Sequence, residues 1–262
     1  MLSKSKYVSG RQCLKKLHLE KHRPDLKPPT PAARQALFDQ GHRIGELAQK
    51  LYPGGKDATP KDYSDFSASI RNTRLWIESA YEVIYEATFA VDGVLALLDI
   101  FLKRDGFIYA LEVKSSTKVQ PYHLWDAAIQ YYVMDKAGFR PDGFYIMHIN
   151  NQYVKDGDIR LDQLFTKTDV TEDFIALQPD ISGQLEEMKA TLLQKAEPEV
   201  DIGPHCNDPF PCDFQHYCWQ GMPKPSVFSL SRIGKKAWAL YDQGKLAIAD
   251  LDEADFSGRA KL

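Results

Sequence analysis

Between residues 83 and 114 the period changes to two, in three strand-like runs rich in Val, Ile, Phe, Tyr and Leu: Val83–Ala90, Val94–Leu102 and Phe107–Lys114. That spacing predicts three strands. Asp92-Gly93 and Asp105-Gly106 separate the runs, and Asp-Gly between such runs is the strongest short hairpin signal. Elsewhere the period is helical. Residues 10–22 read as a short basic helix, stopped by Pro24 and the Pro28-Pro29-Thr30-Pro31 stretch. Leu37, Ile44, Leu47, Ala48 and Leu51 predict a helix from about residue 32 to 51, ended by Pro53-Gly54-Gly55. Residues 66–81, 121–137 and 181–196 read as helices, and 143–150 as a fourth strand. In the tail, 229–244 reads as a helix and 246–251 as the start of another. This order predicts an α/β fold with a mixed central sheet, an antiparallel three-strand meander plus a further strand, flanked by helices.

The hairpins also predict a register. If each turn has two residues, Arg104 faces Phe107, Asp99 faces Glu112, and Glu86 faces Asp99. Three carboxylates then share one row, with neighbouring Cβ atoms ~5 Å apart. Lys114, two residues past Glu112, lies on the same face. The strand around Asp99 is apolar on both faces, which marks it as buried on both sides. Like charges facing each other destabilise a sheet, and a buried carboxylate needs a partner. A divalent cation resolves the conflict, because Mg²⁺ and Mn²⁺ prefer carboxylate oxygens. A structural ion pair of Asp99 with Lys114 or an arginine would resolve it too.

Composition narrows the class. The 262 residues are 44% hydrophobic and 26% charged, as in an ordinary globular protein with a real core. No apolar run approaches the ~18–20 residues that span a bilayer. The opening Met1-Leu2-Ser3-Lys4-Ser5-Lys6 lacks the apolar stretch of a secretion signal. The expectation is a cytoplasmic protein with no membrane partner. The net charge of −3 does not announce nucleic acid. Residues 1–23, however, hold seven Lys or Arg (4, 6, 11, 15, 16, 21 and 23) against Glu20 alone, a patch that could bind phosphates or simply form a solvated helix face.

The four cysteines are Cys13, Cys206, Cys212 and Cys218. In a reducing compartment such a cluster suggests metal before disulfide. Four thiolates suit zinc or an iron–sulfur cluster, and His205 and His216 are substitute ligands; four unrelated buried thiols are the plain alternative. Closing the loop of about 190 residues between Cys13 and Cys206 costs roughly 5 kcal/mol of chain entropy, which metal binding can exceed.

Asp99 followed by Glu112-Val113-Lys114, on adjacent strands with a helix behind them, resembles the PD-(D/E)xK nuclease superfamily. Gly41-His42 upstream, Gln130-Tyr131 downstream, and one cysteine near the start with three near the end resemble its RecB-like branch with an iron–sulfur cluster, including the CRISPR-associated exonuclease family. The resemblance covers about residues 3–220. It implies a restriction-endonuclease-like core with a four-cysteine clasp, and a division into four segments. These are a basic N-terminal helix with the first cysteine and linker (1–31), a nuclease core (32–200), a cluster loop (201–225), and a helical extension that could begin a further domain (226–262).

The resemblance further implies that His42, Asp99 and Glu112 ligate Mg²⁺ or Mn²⁺, with the Val113 carbonyl as an added ligand. Lys114 would position or activate the attacking water, and Gln130 and Tyr131 would steady the site or the strand. Cys13, Cys206, Cys212 and Cys218 would hold a 4Fe-4S cluster, with structural Zn²⁺ as the alternative. Two departures stand out: Met134 occupies the usual tyrosine position, and the cysteine spacing is x5/x5 where x2/x5 is commoner. Glu86 rests on the register alone, and Glu46 reads as a solvated or histidine-orienting group. The implied activity is a metal-dependent deoxyribonuclease, exonuclease-like on single-stranded DNA or free ends, serving repair, recombination or phage defence and leaving 5′-phosphate and 3′-hydroxyl ends. The alternatives are a non-catalytic nucleic-acid-binding or assembly subunit and a structural zinc protein. Ile233-Gly234-Lys235-Lys236 and the Tyr241–Lys245 stretch are faintly similar to helix-hairpin-helix modules. A further domain or protein partner, and the oligomeric state, stay open at this stage.

Overall fold

A computed structural model describes residues 1–255. The chain forms two compact units, one joining Met1–Arg11 to Pro29–Lys195, the other joining Gln12–Pro28 to the segment from Ala196 onward. These units cut across the four segments expected from sequence. The last residues of the 226–262 extension lie outside the described residues.

The first unit is α/β, with a mixed, open seven-stranded sheet flanked by helices. Its elements are β1 (Leu2–Ser3), α1 (Lys4–Gln12, whose last residue belongs to the other unit), α3 (Ala32–Gln49), β2 (Lys56–Asp57), α4 (Ser67–Glu78), β3 (Val83–Val91), β4 (Val94–Arg104), β5 (Phe107–Lys114), α5 (Pro121–Lys136), β6 (Gly143–Ile149), α6 (Leu161–Leu164), β7 (Phe165–Asp169), α7 (Thr171–Ile175) and α8 (Gln178–Leu193). The second unit holds α2 (Leu14–His22), α9 (Gln215–Cys218) and α10 (Lys236–Asp242). The sheet order is β2-β3-β4-β5-β6-β7, and β1 adds to β4. The β3–β4, β4–β5 and β6–β7 pairs are antiparallel, while β5–β6 is parallel.

Both Asp-Gly turns have the predicted two residues, with all four at positive φ (Asp92 47°, Gly93 75°, Asp105 53°, Gly106 86°), the geometry that matches strand twist. The register is therefore the expected one: Arg104 faces Phe107 and Ile100 faces Leu111, while Tyr85 faces Ile100 and Ala87 faces Leu98. One face of the sheet packs Ile100, Leu102, Leu111 and Met147 against Ala48 and Tyr52 around α3. Neighbours along a strand point to opposite faces, so Asp99 and Glu112 face the side where α5 buries Ala127, Ala128, Gln130 and Met134.

Three strands went unpredicted: β1 and β2 have two residues each, and β7 (FTKTD) is mostly polar. The basic helix expected over 10–22 is two helices, because Cys13 between them is extended (φ −168°, ψ 123°). The helix expected over 229–244 covers only α10; Arg232 (φ 61°) and Gly234 (φ 55°) are left-handed and end any helix there. The second tail helix is a single 3-10 turn, Ile248–Asp250. No helix among the described residues is long and apolar enough to cross a membrane.

Candidate active site and cysteine cluster

The acidic row sits where the sheet splits. Strand β4 keeps β3 along one edge, but its other edge changes neighbour. β5 pairs with Ile100–Arg104, while β1 takes Val94 and Leu95 in parallel. Asp99 lies in the gap between the two pairings. There the β4–β5 ladder has ended, and the freed Val113 N–H donates instead to Asp99 Oδ2 at 2.6 Å. Across the other edge Glu86 stands level with Asp99, between paired residues 85 and 87. Its φ of 52° is left-handed, a conformation costing on the order of 1–3 kcal/mol in a non-glycine and concentrated at functional sites. Thr88 supports the kink, donating its hydroxyl to the Glu86 carbonyl (2.9 Å) and its N–H to Thr73 Oγ1 (2.9 Å).

Glu112 is the hub. Its carboxylate is 3% exposed and receives Lys4 Nζ at 2.5 Å and Lys114 Nζ at 2.9 Å on Oε1. Gln130 Nε2 donates to Oε2 at 3.0 Å and also reaches the Asp126 carbonyl at 3.2 Å. Gln130 is fully buried, and its Oε1 has no partner among the described residues. Lys114 is also held by Asp126 Oδ2 at 2.5 Å. Below this group His123 is buried; its Nδ1 accepts the Gln120 N–H at 3.1 Å.

The electrostatics divide the acids. Burial alone would raise Glu112, but the Lys114 and Lys4 ammonium groups outweigh it and hold the carboxyl at about 2. Burial, with Glu112 close by, pushes Asp99 up to about 6. Burial, then Asp99 and Glu112, push Glu86 up to about 8. Burial would lower Lys114, yet Glu112 and Asp126 hold it well above the usual lysine range. Burial and Lys114 pull His123 down to about 4, so it stays neutral. Among the described residues Glu86, Asp99, Glu112 and Asp126 face two ammonium groups, Lys4 and Lys114, so the fully ionised cluster would carry two uncompensated negative charges. Without a metal, the proton that Glu86 keeps at neutral pH meets only part of that deficit, since Asp99 holds its own only below about 6; a single divalent cation would meet it in full.

Sequence reasoning brought Asp99, Glu112, Val113, Lys114 and Gln130 to one place, and the structure places them together. His42 stays outside. It is exposed on α3, has no hydrogen-bond partner among the described residues, and its helix packs on the sheet face opposite the carboxylates. Tyr131 is buried against Phe174 rather than aimed at the acids. Lys4, Asp126 and His123 were missed. Asp126 had a signal, lying four residues before Gln130 and hence on the same helix face. Lys4 was visible only as one of seven basic residues.

In the second unit Cys13, Cys206, Cys212 and Cys218 line one cavity, together with Lys15 and Lys16. Cys13 is the extended residue between the two helices, and the Cys206 carbonyl accepts the Cys212 N–H at 2.8 Å. Gln12 Nε2 ties this loop by donating to the carbonyls of His205 (2.8 Å) and Phe210 (2.7 Å). Burial raises the thiols of Cys13 and Cys218 and pushes Cys212 up to about 11. All four are free thiols. Among the described residues no three His, Cys, Asp or Glu side chains stand, as placed, close enough around one point to hold a metal ion. At the sheet, two lysines and a glutamine occupy Glu112. In the cysteine cavity the donor kind fits a thiophilic metal, while the spacing is not closed.

Fold and site define an α/β protein with a lysine-laced acidic cluster at a split sheet. No family model matches the chain, and no curated protein is significantly similar to it.

Proposed function

We propose that this chain is a divalent-metal-dependent nuclease hydrolysing DNA phosphodiester bonds, with a restriction-endonuclease-like core of the RecB-like kind. The observation that carries the reading is the charge deficit of two at the sheet split, in a group that also contains the Asp99, Glu112-Val113-Lys114 set. Asp99, Glu112 and Glu86 would hold Mg²⁺ or Mn²⁺, with the Val113 carbonyl in reach. A divalent ion there supplies positive charge at the phosphate and acidifies the attacking water. The protein's own groups do the positioning. Asp126 holds Lys114 so that its ammonium points into the acidic cluster, where it can orient water or a phosphate oxygen without competing as a ligand. Gln130 fixes the Glu112 carboxylate from behind. Single-stranded DNA with a free end is the substrate we favour.

Cys13, Cys206, Cys212 and Cys218 would hold a 4Fe-4S cluster, or structural Zn²⁺, with Lys15 and Lys16 offsetting the thiolate charge. The visible absorbance of anaerobically purified protein and an iron assay decide between the two. The position of His42 away from the acids favours a second reading, a nucleic-acid-binding subunit that keeps the fold but does not cut. Labelled single-stranded DNA incubated with Mn²⁺ separates them. The nuclease degrades it, and the folded Lys114→Ala variant does not. Intact DNA with wild-type protein and Mn²⁺ overturns the nuclease reading.

A further inference from the structure

Lys4 is the unexplained member of the acidic cluster. It comes from the far end of the chain, yet it is anchored. Leu2 is buried, its N–H donates to the Gly93 carbonyl at 2.8 Å, and β1 pairs with Val94 and Leu95. Directly behind, Tyr7 is buried and donates its hydroxyl to Gln184 at 2.7 Å. The α1 backbone at Gly10 runs so close to α8 that a Cβ there would stand 2.7 Å from Met188 Sδ. Lys4 is therefore delivered to Glu112 by a packed element, whose strand pairs with β4 at Val94 and Leu95, on the other side of the gap from β5.

The three donors on Glu112 are not equivalent. Lys114 has a second acceptor in Asp126, and Gln130 has the Asp126 carbonyl. Among the described residues Lys4 has Glu112 alone as its hydrogen-bond and ion-pair partner. Oε1 carries both ammonium groups and Oε2 the amide, so a cation that takes Oε1 must replace an ammonium, and Lys4 has the fewer partners to hold it. Its side chain is 23% exposed, so it has a route to solvent or to a bound phosphate once released.

We propose that Lys4 is a positioning residue that acts through Glu112. It is a tethered cation that holds the carboxylate in the metal-free protein and yields it to the divalent ion, thereby setting the metal concentration at which the site loads. The inference rests on the nuclease reading for its metal site, but it concerns binding and is tested without cleavage.

The full chain, freed of metal, is titrated with Mn²⁺ by calorimetry as wild type, Lys4→Met, Lys4→Arg and Asp99→Asn. Removing a charge-assisted competitor should tighten Mn²⁺ binding by about tenfold or more in Lys4→Met, leave Lys4→Arg near wild type, and abolish binding in Asp99→Asn. Lys4→Met binding equal to or weaker than wild type, where wild type itself binds through Asp99, overturns the role of Lys4 and leaves the metal site standing. Absence of Mn²⁺ binding in wild type and Lys4→Met alike sinks the metal site and this proposal together. Should Lys4→Met fail to fold, wild type provides the second measurement. Acetylation of the Lys4 amine, followed by mass spectrometry with Lys118 as internal reference, should rise when Mn²⁺ is added. Unchanged or lower labelling overturns the proposal.

Discussion

Asp99→Asn offers a test in which the site acid opposes the fold. Asp99 Oδ2 accepts the Val113 N–H at 2.6 Å, and the Asn side-chain oxygen can keep that bond while dropping the charge beside Glu112 and Glu86. Burial and Glu112 hold the Asp99 pKa at about 6 rather than 3.8, which corresponds to about 3 kcal/mol of cost once the group ionises. Asp99 is only partly buried, and the new amide must find a partner, so a net gain of about 1–2 kcal/mol is expected in the metal-free protein. For a chain of this size that is a rise in melting temperature of roughly 3–6 °C. An acid whose folded pKa lies above its unfolded one costs nothing while both states are protonated, below about pH 4, and costs in full above about pH 6. The gain should therefore be absent at the acid end and grow through that window. Thermal melts in EDTA across that range read it directly. Adding Mn²⁺ should then raise the wild type past the variant, which no longer responds. A variant that melts lower than wild type at about pH 8 in EDTA, or a gain that does not change with pH, refutes the reasoning from buried charge.

Other substitutions separate support from chemistry. Gln130→Leu removes the amide that steadies Glu112 and also the unpaired Oε1, so stability should shift by no more than about 1 kcal/mol while single-turnover cleavage falls about tenfold or more. Thr73→Val orphans the buried Thr88 N–H and should cost about 1–3 kcal/mol in denaturant melts, loosening the strand that kinks at Glu86. Cys212→Ser should lose iron and visible absorbance together and lower the melting temperature of the purified protein, since a cluster that closes the loop between Cys13 and Cys206 contributes folding energy; equal stability with iron still bound would count against the clasp.

How far the sequence carried the site can be judged residue by residue. The facing of Asp99 and Glu112 was legible because two Asp-Gly turns of known length fix a register, and alternation then assigns the faces. Gln130 and Lys114 followed from order and period. Lys4 was not legible, because β1 has two residues and no periodicity, and its partner lies 108 positions away. The left-handed Glu86 could not be foreseen either, since nothing local asks for it; the strain belongs to the place where β4 changes neighbours. The break at Cys13 was hidden inside a helical-looking run, and its physical reason is tertiary, a thiol turned into the cavity that Cys206, Cys212 and Cys218 also line.

The two hairpin turns have a genetic consequence. Neither carries a site residue, and each is exposed, so point changes there should be tolerated wherever a positive φ can be kept. Adding or deleting a single codon is another matter. One extra residue between β4 and β5 would swing Glu112 and Lys114 away from Asp99, and one between β3 and β4 would do the same to Glu86. In-frame insertions or deletions that slip the ladder by one residue should thus cost the site its geometry and the strands their core packing together, making loop length, rather than loop composition, the inherited feature to watch.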